Sequence, residues 1–237
     1  MKELIIKSIK EIEREYFNHS STSMKDYESL EDSKNALKAS ESTFVADLRG
    51  NLKVNLKMGN LSFKIDLESS KMLVYSSWPT PDEIRDSYDK IFAKITDGGN
   101  FNNETKLYRI PDLIIHKSEK SINPEDQLLV SEIKTDPNMT EGDFYADFFK
   151  LNLFMSELNF QYGLFIAANI DNEKIIGWLT KYLNEDLFVN QNNRNIYLIS
   201  IDKEVSRLSI CDFSKVRIES GKNQRTFIQN QYEFVNY

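Results

Sequence analysis

The chain has 237 residues, a formal net charge of −7, and 40% hydrophobic and 12% aromatic residues. That length and core content fit one medium domain, and fifteen Phe and eleven Tyr against eight Gly and five Pro exclude a disordered or low-complexity protein. A single cysteine, Cys211, excludes an intramolecular disulfide, and with only two histidines (His19 and His116) it excludes a Cys/His zinc site; the acidic balance argues against a protein that coats nucleic acid non-specifically.

The N terminus breaks its apolar positions with charges, so residues 1–18 read as an amphipathic helix (Ile5, Ile9, Ile12, Tyr16), not as a signal peptide. No apolar run reaches membrane-spanning length, and a soluble, cytoplasmic protein with no membrane partner is expected. A polar break at residues 18–23 precedes a long helical segment from about Ser29 to Lys57, striped by Leu37, Phe44, Leu48, Leu52 and Leu56, with Gly50-Asn51 as a kink or an end. Two strands follow, Leu61–Leu67 and Lys71–Ser76, joined by Glu68-Ser69-Ser70 as a hairpin turn. Thr80 and Pro81 start a helix that runs to about Ile95, and Asp97–Asn100 is a loop.

From Lys106 the character changes. Leu107–His116 and Gln127–Thr135 are apolar runs without clean alternation, as expected of interior strands covered on both faces. A helix over 141–159, a buried strand at Tyr162–Ala168, a helix capped near Asp171 and reaching about Leu183, and strands at Ile196–Ile201 and Arg207–Phe213 complete the order. The expectation is a mixed α/β sheet with both faces covered, in one domain over 1–237: an N-terminal helix and polar linker at 1–25, a core, and a C-terminal helix and strands at 171–237.

The chemistry concentrates at Pro111-Asp112 and Glu132-Ile133-Lys134. In a strand, side chains two apart share a face, so Glu132 and Lys134 point the same way. A carboxylate and an ammonium closing an apolar run are costly to bury without partners. If Asp112 lies on the neighbouring strand, its charge repels that of Glu132 unless a cation sits between them. With so few Cys and His, that cation must be held by oxygen, which favours Mg²⁺ or Mn²⁺. The same short patterns occur elsewhere, at Asp32-Ser33-Lys34, Glu104-Thr105-Lys106 and Pro81-Asp82, but not on consecutive apolar strands.

Asp112 with Glu132-x-Lys134 resembles the PD-(D/E)xK phosphodiesterase superfamily, which has the restriction-endonuclease-like fold. The similarity covers about residues 29–170 and is strongest over Tyr108–His116, Leu129–Lys134 and Tyr162–Ile166. It implies a restriction-endonuclease-like mixed sheet flanked by helices, here with an N-terminal helical extension. The core order is helix, three-stranded meander, helix, strand, with the helix after Pro81 as an insertion into the meander. It further implies a Mg²⁺- or Mn²⁺-dependent nuclease acting on nucleic acid, most readily DNA. Asp112, Glu132 and the backbone carbonyl of Ile133 would hold the metal, and Lys134 would serve the attacking water. A further Glu from the first core helix falls on Glu41, with Glu83 as the rival. A catalytically silent member of the same fold, binding nucleic acid or protein, is the alternative; a homodimer or a partner protein is left open.

Arg109, Lys117 and Lys150 are candidates for substrate phosphate, although solvated surface charge is the simpler reading of each. Asp147 and Lys150 are expected as a solvated i,i+3 pair, and His116 as a hydrogen-bonded strand-end histidine.

Overall fold

The computed structural model describes residues 1–12, 30–59, 62–67, 73–74, 82–95, 108–109, 111–118, 121–190, 195–202, 207–213 and 232–236. Among these described residues, seven strands form one mixed sheet. In spatial order they are β1 (Lys64–Leu67), β4 (Leu113–His116), β5 (Gln127–Lys134), β6 (Tyr162–Ala168), β7 (Ile196–Asp202), β8 (Arg207–Asp212) and β9 (Tyr232–Asn236). The middle of the sheet is parallel (β5 with β6, β6 with β7), and the strands toward both edges pair antiparallel. Two short strands, β2 (Leu73–Val74) and β3 (Tyr108–Arg109), pair antiparallel in a separate sheet.

Helices cover both faces, as the near-continuous apolar runs of the central strands require. On one face α1 (Lys2–Lys10) and α2 (Leu30–Met58) bury Ile5, Ile9, Phe44, Leu48, Leu52 and Leu56 against Leu113, Ile115, Leu129, Ile133, Leu164 and Ile166. On the other, α3 (Asp82–Ile95), α4 (Glu141–Glu157) and α5 (Asn172–Asn184) enclose a second core with Ile114, Val130 and Phe165. Aromatic rings fill this layer. Phe148 meets Tyr182 and Phe213 edge-on at centroid distances of 5.0 and 5.6 Å. Among the described residues no helix is long and apolar enough to cross a membrane.

α4 positions most of the chemistry, and its start is fixed locally. Thr140 caps it: its hydroxyl accepts from the Asp143 N–H at 3.2 Å, and the Asp143 carboxylate accepts from the Thr140 N–H at 2.9 Å. It ends at Glu157, and Asn159, just past the Leu158 cap, has a φ of 57°, the left-handed geometry common beyond a helix end. Gly163 lets the helix lie close on β6, because a Cβ there would stand 2.5 Å from Met155 Sδ and 3.3 Å from Leu151 Cγ.

Several expectations need correction. β1 and β2 do not form a hairpin: β1 pairs with β4, and β2 with β3. The expected strand Leu107–His116 divides into β3 and β4, since Pro111 between them has no N–H for the ladder and a fixed φ. α2 runs through Gly50-Asn51 without ending. The N-terminal helix ends at Lys10, and β9 was not anticipated. The polar break, the proposed turn at 68–70, the Thr80 cap, the loop at 97–100 and the side chain of Leu37 lie outside the described residues.

Candidate functional site

β5 alternates between the two cores. Leu129 and Ile133 enter the α2 layer, and Val130 enters the α4 layer. Glu132 and Lys134 share the parity of Val130, which carries them toward α4. Glu132 is fully buried, and its carboxylate is paired with the ammonium of Lys150 from α4. Lys134, at the end of the strand, reaches both layers. Its Nζ is 3.5 Å from Asp147 Oδ2 of α4 and 3.9 Å from Glu41 Oε1 of α2. Lys150 also meets Asp147, at 3.2 Å.

Asp112 stands just ahead of β4, beside the same end of β5. Its N–H donates to the Ser131 carbonyl at 3.2 Å, and its Oδ2 accepts from the Ile133 N–H at 2.7 Å. An extended residue directs its N–H and C=O to the same edge of its strand, so the Ile133 carbonyl also faces the Asp112 edge. Glu41 arrives from the opposite layer, and its Oε2 accepts from the Thr135 N–H at 3.4 Å. Beside these groups a cavity of about 310 Å³ is lined by Glu41, Ser42, Val45, Leu67 and Asp112.

The electrostatics follow from burial. Desolvation pushes Glu132 well above the ordinary glutamate range; Lys150 offsets this, and the Asp112 charge adds to it. Burial raises Asp112 against the pull of Lys150 and Lys134, and raises Glu41 against the pull of Lys134. For the lysines burial acts the other way, but carboxylates outweigh it. Asp147 and Glu41 hold Lys134 above the ordinary lysine value, and Glu132 and Asp147 do the same for Lys150. Four carboxylates (Glu41, Asp112, Glu132, Asp147) against two ammonium groups (Lys134, Lys150) leave two formal negative charges.

A divalent cation suits this set in charge and in ligand chemistry, since every side-chain donor is a hard oxygen. The two buried oxygens of Glu132 accept no hydrogen bond of ordinary geometry among the described residues, and Lys150 is the ion partner of Oε2. No group of three Asp, Glu, His or Cys side chains among the described residues is already drawn together as a metal cage, and the two lysines stand among the carboxylates instead.

The structure thus brings together Glu41, Asp112, Glu132 and Lys134, with Lys150 and Asp147 as further members. Lys150 and Asp147 are not a solvated pair: each side chain is 12% exposed. A periodic signal was available, because Asp147 lies three residues after Phe144 and four before Leu151, on the apolar stripe of α4. Lys117 is not brought to the cluster. It lies past the far end of β4, 3.5 Å from Asp126 and over the Phe63 ring. His116 is also at that end, fully buried, with Nε2 2.6 Å from Asp66 Oδ2 on β1. The side chains of Arg109 and Glu83 lie outside the described residues. The chain matches no family model, no curated protein and no solved structure.

Proposed function

We propose that this protein is a divalent-metal-dependent nuclease of the PD-(D/E)xK type, hydrolysing phosphodiester bonds of nucleic acid, with DNA as the first substrate to test. The observation that carries the reading is the convergence of Asp112 from just ahead of β4, Glu132 and Lys134 from β5, and Glu41 from α2 on one end of β5. The topology supports it. α2, the antiparallel run β1–β4–β5, then α4 and the parallel strand β6 follow the order of the superfamily core. α3 and the β2–β3 pair fall between β1 and β4 as the insertion.

In this reading Asp112, Glu132 and the Ile133 carbonyl hold Mg²⁺ or Mn²⁺. The metal, when bound, polarises the scissile phosphate and lowers the pKa of a water. Lys134 carries a firmly held positive charge, because the attraction of Asp147 and Glu41 outweighs the pull of burial toward the neutral amine. Its part is therefore to stabilise negative charge at the reacting phosphate and to orient the attacking water, not to act as the base. Glu41 holds Lys134 from the second layer. The cavity beside Asp112 leaves room for part of the nucleotide chain.

The test is cleavage of labelled DNA and RNA in Mg²⁺ by wild type, Glu132→Gln and Lys134→Ala, with circular dichroism to check folding. Loss of about 10²-fold or more in both variants is expected, the scale at which a transition-state charge donor acts. Equal activity in all three proteins would defeat the proposal.

The alternative is a catalytically silent domain of the same architecture that binds nucleic acid or protein. The ion pair between Lys150 and Glu132 favours it, since that contact already neutralises one proposed ligand. Calorimetric titration with Mn²⁺ separates the two. Heat that disappears in Asp112→Ala supports the metal site; no heat in wild type favours the silent domain.

A further inference from the structure

Lys150 reaches Glu132 from the third turn of α4, and it is buried there, with 12% of its side chain exposed. It touches two acids at once, Glu132 and Asp147, and Asp112 adds a third attraction. Apart from Lys150, the buried Glu132 oxygens have no hydrogen-bond donor of ordinary geometry among the described residues. A buried carboxylate without a counter-charge is strongly unfavourable, so something cationic must stand beside it whenever it is ionised. The ammonium stands on Oε2 of Glu132, one of the oxygens that the metal reading needs as ligands. Lysine is suited to such an exchange: its charge sits on a flexible four-carbon stem that can swing away, and Asp147 offers it a second carboxylate to retain.

We propose that Lys150 is a built-in placeholder for the divalent cation: it neutralises Glu132 in the metal-free protein and is displaced onto Asp147 when the metal arrives. The inference rests on the metal reading given above. It makes Lys150 a positioning residue, not a catalytic one. Metal affinity is then lowered by the fraction of molecules in which Lys150 holds the site.

Two measurements test this on the full chain. In the first, Mn²⁺ is titrated calorimetrically into wild type, Lys150→Met and Lys150→Arg. Lys150→Met should bind at least about tenfold more tightly than wild type, with a larger metal-induced rise in Tm. Lys150→Arg keeps the charge and should stay near wild type. In the second, which needs no variant, the wild type is labelled with an amine-reactive acetylating reagent with and without saturating Mn²⁺, and peptides are quantified by mass spectrometry. Labelling of Lys150 should rise several-fold with Mn²⁺, while exposed Lys53 serves as the unchanged reference. This footprint distinguishes displacement from simple charge repulsion, and it decides the matter if Lys150→Met does not fold. Mn²⁺ binding by wild type with no gain in a folded Lys150→Met, or with unchanged Lys150 labelling, overturns the placeholder role and leaves the metal reading standing. Absence of Mn²⁺ binding in wild type and in Lys150→Met overturns both.

Discussion

Glu132 is the residue on which the energetics turn. It lies in the middle of the sheet, fully buried, beside one ammonium. Burial raises it, Asp112 and Glu41 above their ordinary values of 4.5, 3.8 and 4.5. In the metal-free protein the folded state therefore keeps protons that the unfolded chain has already released. Stability contributed by these groups is present at low pH and declines as pH climbs through the raised folded values. Because other carboxylates titrate in the same window, the informative quantity is a difference. Urea unfolding in EDTA from about pH 4.5 to 7.5 should show wild type losing stability relative to Glu132→Gln as pH rises. A difference that stays flat or moves the other way would contradict a carboxylate strained by burial. Saturating Mn²⁺ should reduce the decline, since the metal binds the ionised form.

At the scale of the element, α4 and its packing on β6 set the distances between Lys150, Asp147 and Glu132. Gly163 is the close point of that contact. Gly163→Ala places a methyl group 2.5 Å from Met155 Sδ and 3.1 Å from Ile196 Cγ1, and overpacking of this kind costs about 1–3 kcal/mol. Gly50 lies within α2 with nothing within 4 Å of a Cβ, so Gly50→Ala should stabilise by about 0.5–1 kcal/mol through helix propensity. Urea unfolding measures both, and equal effects of the two substitutions would show that α4 is not held where described. The same elements explain what was legible in advance. β5, β6, α4 and α5 are visible because long apolar periods, and for α5 the local cap Asp171, are properties of neighbouring residues. The partners of β1 and β2 are not, since pairing across about thirty-five to fifty residues depends on the whole sheet and such short segments carry little register information. Within the site, Asp112, Glu132 and Lys134 stood out because charges closing apolar strands are anomalous. Lys150 reads as a solvated residue because an i,i+3 pair with Asp147 looks the same in sequence whether the helix face is wet or covered.

Among the described residues, two apolar layers sandwich a mixed sheet, and a cluster of buried charge lies at one end of its antiparallel–parallel junction, where β5 lies between β4 and β6. A chain of net charge −7 gains little from general attraction to a polyanion, so in this account the ordered cation and the two lysines are what bring a phosphate to the site. The most direct measurement is therefore a crystal structure of the wild-type protein at saturating Mn²⁺, with anomalous diffraction used to locate the metal. The account predicts a peak about 2–2.4 Å from oxygens of both Asp112 and Glu132, with Lys150 withdrawn from Glu132. Anomalous density absent from that end of β5, with Lys150 still seated on Glu132, would contradict it.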